Sequence, residues 1–325
     1  MTARWWMLPC LVGVVMLVSG CGEAPASGRR LYVSNEFVDT VTVIDLQTEK
    51  PVATIEVGDR PRGIKVSPDG RWVYVALGED DAIGVVDVAT NKVIAKIPAG
   101  EDPEAFDISP DGRFLYVSNE EANTASLIDT SSRKVVATVR VGVEPEGVAV
   151  SPDGKWVYVS SETSHTISVI DAASFKVVAT VLVGDRPRAI AFSPDGTRAY
   201  VTAEVGGAVS VLDAKAHKVL ETISVLRRQE VEKPMGVAVM PDGSKIYVTT
   251  GRGSTVAVID ANTLKVLQYI PVGKRAWGVA ITPDGTRAFT ANGVSANVSV
   301  IDATTDTAVG TIPAGKGAWG IAILW

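Results

Sequence analysis

Pro68-Asp69-Gly70 returns at Pro110-Asp111-Gly112, Pro152-Asp153-Gly154, Pro194-Asp195-Gly196, Pro241-Asp242-Gly243 and Pro283-Asp284-Gly285, four of the five steps spanning 42 residues and the other 47. A period of about 40 residues built from short alternating strands is the mark of a β-propeller. In one repeat, Pro145-Glu146-Gly147-Val148-Ala149-Val150-Ser151 reads as a strand, Pro152-Asp153-Gly154 as a tight turn and Trp156-Val157-Tyr158-Val159-Ser160 as a second strand. Residues 166–170 and 176–181 supply a third and a fourth, so each repeat is one four-stranded antiparallel blade.

Counting strand types gives the closure. The second, third and fourth types each occur seven times, beginning with residues 31–34, whereas the six Pro-Asp-Gly turns are followed by one last first-type strand at 319–324. One blade therefore takes its inner strand from the C-terminus and its other three from the N-terminus, which removes an open edge. The expectation is an all-β, seven-bladed propeller over residues 31–325, one domain despite a length of 325 that would suggest two. What recurs in every repeat is scaffold. Asp45, Asp87, Asp129, Asp171, Asp213, Asp260 and Asp302 are placed to accept turn N–H groups. Tyr32, Tyr74, Tyr116, Tyr158, Tyr200 and Tyr247, with Phe289 in the seventh copy, are expected to pack between blades.

Ahead of the repeats, Arg4 precedes an apolar run at 5–18 that Pro9 interrupts and that is too short to span a bilayer comfortably. Leu17-Val18-Ser19-Gly20-Cys21 resembles a bacterial lipobox, which implies a signal peptide at 1–20, diacylglyceryl on Cys21 and a lipidated tether at 21–30. An ordinary cleavage site beside a chance Cys is the alternative. Gly22, where Asp would retain the protein at the inner membrane, favours the outer membrane, so the expected location is the periplasm, lipid-anchored. With Cys10 removed and Cys21 acylated, the mature chain has no free thiol, which excludes disulfides, thiolate metal sites and Cys-x-x-Cys-His haem attachment. The chain holds 31 Lys plus Arg against 37 Asp plus Glu, with no basic run longer than a pair, which argues against nucleic acid as a partner.

Tyr32-Val33-Ser34-Asn35 and Tyr116-Val117-Ser118-Asn119, with looser copies at Tyr158-Val159-Ser160-Ser161, Tyr200-Val201-Thr202-Ala203 and Tyr247-Val248-Thr249-Thr250, resemble the repeat of the YVTN family of β-propellers, over essentially residues 31–325. Within that family the chain is similar to periplasmic propellers associated with pyrroloquinoline quinone-dependent catabolism, and the resemblance implies an accessory protein rather than the dehydrogenase. Some seven-bladed propellers of similar appearance hydrolyse sugar lactones with carboxylates, His or Arg at the channel mouth. Lactone hydrolysis is therefore the alternative function.

Function is sought where the repeats disagree, on the face that carries the loops from fourth to first strand and from second to third. Just after the Pro or its equivalent stand Arg62, Glu104, Glu146, Arg188, Met235, Trp277 and Trp319; two residues earlier stand Arg60, Asp102, Glu144, Arg186, Lys233, Arg275 and Gly317. The mouth is expected to be sectored, with acidic blades between Arg-Pro-Arg blades and then an apolar arc of Met and two Trp. Pairing of Arg with Glu between blades accounts for the first sector but not for the tryptophans, and aromatic residues with Arg are what binding hot spots use. The candidate ligand or partner residues are thus Arg60, Arg62, Glu104, Glu146, Arg186, Arg188, Met235, Arg275, Trp277 and Trp319. Lys65 and Asp107 stand where five other blades have Ala, and read as a compensating pair inside the ring. Glu36, Glu120, Glu162 and Glu204 share one offset and read as a solvated rim; a calcium site is the alternative, and no metal is assigned. The extra five residues place the segment 227–232 above the same face.

No catalytic residue and no cofactor is assigned. His165 is expected in a top loop and His217 in a turn on the opposite face, so a two-His metal site is excluded, and neither a Ser-His-Asp arrangement nor a Gly-rich phosphate loop follows from spacing. The expected protein is a monomer that binds a periplasmic protein or small-molecule ligand through its channel mouth.

Overall fold

The structure, a computed structural model, describes residues 1–2, 28–227 and 232–325. The expected signal peptide, Cys21 and most of the tether lie outside the described residues, as does the middle of the 227–232 segment. Seven four-stranded antiparallel sheets form the ring. Blade 1 is assembled from Ala318–Leu324, Arg30–Asn35, Thr40–Asp45 and Lys50–Glu56, in that order from the channel outward. Leu31 faces Ile323 and Val33 faces Ile321 across the closure, and Arg29 lies 3.5 Å over the Trp325 ring beside it. Blades 2 to 7 follow in chain order, with inner strands Pro61–Val66, Pro103–Ile108, Pro145–Val150, Pro187–Phe192, Val237–Val239 and Ala276–Ile281.

The burial pattern explains why blades stack. Second and third strands, such as Trp156–Ser161 and Thr166–Asp171, are buried almost throughout, because a neighbouring blade covers each face. Outer strands such as Lys176–Leu182 alternate exposed and covered. Each blade interface holds one apolar cluster that joins an aromatic of one blade to β-branched and Leu side chains of the next. Tyr32, Tyr158, Tyr200, Tyr247 and Phe289 are at most 1% exposed, as packing residues should be.

The recurrent polar residues are scaffold. Asp171 Oδ1 accepts the Ser174 N–H at 2.8 Å, Asp45 Oδ1 those of Gln47 and Thr48 at 3.0 and 2.7 Å, and the other five aspartates do the same in their own turns. These bonds hold the carboxyls of Asp45 and Asp171 below the usual carboxylate range. In the Pro-Asp-Gly turn Asp69 Oδ1 accepts from the Ser67 hydroxyl at 2.5 Å and the Arg71 N–H at 3.1 Å, and Gly70 takes φ of 70°, a conformation that glycine adopts without strain.

A feature not expected from the sequence recurs in the outer strands. Their pairing shifts by one residue, as between Val43↔Ala53 and Ile44↔Pro51, so that Val52 is an unpaired bulge residue. Ile94, Val136, Val178, Leu220, Leu267 and Val309 occupy the same position in the other blades, and all seven side chains are exposed. Because closure rests on one strand, removing residues 318–325 is expected to lower the thermal midpoint by more than about 10 °C or to abolish a single cooperative transition. Circular dichroism melts of the two lengths of chain check this, and equal midpoints would contradict it.

Candidate functional site at the channel mouth

Five of the seven mouth residues, Arg62, Glu146, Arg188, Met235 and Trp277, are positioned by the blade before them. Inner strands converge toward the channel, and where they are closest one backbone carbonyl takes a hydroxyl from the preceding blade. Ser34 Oγ donates to Arg62 O at 2.5 Å, Ser118 Oγ to Glu146 O at 2.6 Å, Ser160 Oγ to Arg188 O at 2.5 Å, Thr202 Oγ1 to Met235 O at 2.6 Å and Thr249 Oγ1 to Trp277 O at 2.5 Å. These donors are the Ser or Thr of the Tyr-Val-Ser/Thr motif. The approach also demands a missing side chain: a Cβ on Gly147 would lie 2.1 Å from Arg188 O. The motif Asn has its own task. Asn35 accepts the Gly315 N–H at 2.9 Å and donates to Thr42 Oγ1 at 2.9 Å, fixing the loop that leads to Trp319.

The loops are tied to one another in the same manner. His165 Nδ1 accepts the Arg186 N–H at 3.1 Å, as Asp39, Asp81 and Asn123 accept those of Arg60, Asp102 and Glu144. His217 lies far from it and meets the Tyr158 hydroxyl at 2.8 Å, so the two histidines share no site.

On blades 2 to 5 the mouth is a network of ion pairs. Arg62 reaches Glu36 at 2.7 Å and Glu104, and Arg60 reaches Asp102 at 2.8 Å and Glu104 at 2.5 Å. Arg188 reaches Glu204 at 2.9 Å together with Glu146 and Glu162, while Arg186 pairs with Glu162 at 2.5 Å. The solvated rim is therefore corrected: the Glu162 and Glu204 side chains are only 4% and 10% exposed, turned inward onto guanidiniums. Desolvation explains this, since carboxylates and arginines this close are more stable paired than facing the channel alone. Asp102, Glu104 and Glu120 are near enough together to suggest a cation site, but Arg60 already contacts all three.

Two of the ten candidate residues take other places. Glu104 is fully buried beneath Arg60 and Arg62, and Met235, 6% exposed, lines the channel below the mouth rather than the mouth itself. The other eight, Arg60, Arg62, Glu146, Arg186, Arg188, Arg275, Trp277 and Trp319, surround one cavity of about 460 Å³. Phe37 and Val294, which the sequence reading passed over, complete its wall. Trp277 and Trp319 lie nearly parallel, with ring centroids 6.0 Å apart and planes inclined by 26°. Arg275 sits 4.7 Å over the Trp277 ring. In the narrower channel below, Lys65 Nζ meets Asp107 at 3.0 Å and Asp107 accepts the Val150 N–H at 2.9 Å, so the expected pair is present with Lys65 half exposed. Of the inserted segment, Arg227 pairs with Glu232 at 3.0 Å.

The mouth therefore belongs to a seven-bladed propeller whose rim couples a closed Arg–Glu network to an open aromatic arc. The chain belongs to the seven-bladed β-propeller lactonase family, whose model matches residues 23–99 and 172–312, and a YNCE-like β-propeller model matches residues 99–192 between them. No curated protein matches the chain. Among solved structures, it is similar to hydrazine synthase of Kuenenia stuttgartiensis, with 26% identity and a TM-score of 0.78 over 89% of this chain and 99% of that one. A protein of unknown function from Desulfotomaculum acetoxidans gives 20% identity and a TM-score of 0.80 over 90% and 98%. A candidate 6-phosphogluconolactonase from Bacteroides uniformis gives 17% and 0.79 over 92% and 100%, a likeness of fold.

Carboxylates outnumber guanidiniums in the network, and burial decides which stay charged. Burial and the neighbouring Glu146 push the Glu162 carboxyl up to about 8, and burial also raises Glu120. The folded state thus keeps a proton that the unfolded chain releases near about pH 4.3. Stability contributed by that proton is complete below this range and is lost as pH rises toward about 8. Glu162→Gln is expected to flatten the decline of thermal midpoint between pH 5 and pH 8.5, by a few degrees. Melts at the two pH values measure it, and an unchanged slope would contradict the assignment.

Proposed function

We propose that this is a lipid-anchored periplasmic binding propeller, an accessory that captures a small molecule or a protein segment at its channel mouth and does not itself carry out chemistry. The resemblance of its Tyr-Val-Ser-Asn repeats suggests service to a pyrroloquinoline quinone-linked oxidation. The observation that carries the reading is the division of the mouth. Its Arg–Glu sector is internally neutralised, whereas Trp277 and Trp319 remain partly exposed beside Arg275, which has no carboxylate partner among the described residues. Partly exposed aromatics held rigidly beside Arg are the residues that dominate binding energy. The direction of chain entry agrees. Arg29 and Arg30 enter on the face of the Pro-Asp-Gly turns, opposite the mouth, so a tether from Cys21 would leave the mouth open.

The second reading is lactone hydrolysis, favoured by the family match. In it Glu146, on an inner strand and lining the mouth, would deliver water to the lactone carbonyl. Its close pairing with Arg188 weighs against a base role, because the guanidinium holds its carboxyl below the ordinary range.

Trp277→Ala with Trp319→Ala is expected to abolish retention of a specific small molecule or protein from envelope extract, identified by mass spectrometry, while the thermal midpoint shifts little. Undiminished retention would sink the binding reading, and turnover of a sugar lactone that disappears in Glu146→Gln would replace it with the second. For the anchor, Cys21→Ser is expected to move the protein from the membrane to the soluble periplasmic fraction and to abolish incorporation of labelled palmitate; an unchanged distribution would refute lipidation.

A further inference from the structure

We infer that the ligand of the mouth is a planar aromatic acid, its ring against the exposed surface of Trp277 and Trp319 and its anionic group toward Arg275. This deepens the binding reading and rests on it. The argument begins with the loops that end on the two tryptophans. After the loop Gly, blades 2, 3 and 5 carry Asp59, Glu101 and Asp185, whereas the loops before Trp277 and Trp319 carry Lys274 and Lys316. Residues 273–277 and 315–319 contain no acid, and neither does the top loop at 293–296, while the acids of the loop at 36–39 are engaged elsewhere, Glu36 by Arg62 and Asp39 by the Arg60 N–H. Lys274, Arg275 and Lys316 form no ion pair among the described residues, in contrast to the four arginines across the mouth. Among the described residues, the aromatic arc thus also carries positive charge that no carboxylate pairs.

The shape of the arc selects a flat group. The two indoles are stacked with centroids 6.0 Å apart and both stay partly exposed, with Arg275 over the Trp277 ring and Arg62 6.0 Å from the Trp319 ring, while Phe37 and Val294, 69% and 65% exposed, line the same cavity. Trp277 is held in place because its ring packs against Gly293, where an added Cβ would approach it to 3.0 Å. Aromatic surface held rigidly in place gains most from a ligand that is itself planar. A cavity of about 460 Å³ suits a small molecule. A polyhydroxylated ring is disfavoured for a separate reason. Of the three carboxylates that line this cavity and could accept sugar hydroxyls, Glu36 and Glu146 are closely paired with Arg62 and Arg188, and Glu120 lies 3.8 Å from Arg60. Freeing Glu36 or Glu146 would break a close, largely buried ion pair.

The probe is naphthalene-2,6-dicarboxylate, titrated into the mature protein by calorimetry, with cyclohexane-1,4-dicarboxylate, naphthalene-2,6-dicarboxamide and glucose 6-phosphate as comparators. The aromatic dicarboxylate is expected to bind below about 1 mM, at least about tenfold more tightly than each comparator, and to weaken as sodium chloride is raised. Trp277→Ala and Arg275→Gln are each expected to weaken it by about tenfold or more with the thermal midpoint retained. Absence of binding at about 1 mM, equal binding by both variants, or tighter binding of glucose 6-phosphate would overturn the inference. An extract molecule that is lost from the Trp277→Ala, Trp319→Ala protein but proves uncharged or non-aromatic would also overturn it, and would leave the binding reading standing.

Discussion

Seven inner strands converging on one axis bring neighbouring backbones closer than side chains normally permit, and the rest of the molecule is arranged around that approach. Glycine or alanine stands at the contact, and a hydroxyl from the preceding blade satisfies the carbonyl that faces it, as between Ser160 and Arg188. A carbonyl buried there without a donor would be costly. The same bond fixes the backbone of the residue whose side chain rises into the mouth. Scaffold and site are thus consecutive atoms of one strand: the carbonyl of Trp277 is tied down by Thr249 while its indole is presented above. Blade 2, with Ala76 in place of the hydroxyl residue, cannot donate this bond to Glu104, and there the side chain is gripped by Arg60 and Arg62 instead.

Electrostatics then divides a nearly symmetric ring. Buried carboxylates crowd the side of blades 3 and 4, and arginines from the blades on either side lean over them. In a medium of low dielectric such a cluster settles by pairing and by retaining protons. Its chemistry is directed inward. Among the described residues the loops that lead to Trp277 and Trp319 carry no acid, and what the opposite arc offers to solvent is aromatic surface and positive charge.

The fold was legible because a ring repeats: each Pro-Asp-Gly turn and each Asp after an apolar pair announces a blade, and the mismatch at the two termini announces the closure. The positions at the mouth could be found by subtracting what recurs, but their directions could not. Whether Glu162 faces water or Arg188 depends on a contact with residues 26 positions away in the next blade, and no local pattern carries that. The outer-strand bulges escaped for the opposite reason, since Val178 alternates with its neighbours as an ordinary strand residue does. His165 was read for its imidazole chemistry, while the structure uses only its ring nitrogen as a substitute for the Asp or Asn of other blades.

Closing the ring hides the inner edge of every sheet, yet it leaves seven outer strands along the circumference. Each could in principle be continued by a strand from another molecule. The bulge at Val52, Ile94 and their equivalents interrupts the regular spacing of the ladder and bends the strand at its middle. The lysine that begins five of these strands, Lys50, Lys92, Lys134, Lys176 and Lys218, and Lys265 just before the strand at Val266–Pro271, adds charge at the same edge. Crowded side by side on a surface, such propellers would meet rim to rim without a continuous partner for strand addition. The exposed edges of a fold made almost wholly of β-strands thus offer an incoming strand no regular ladder to extend.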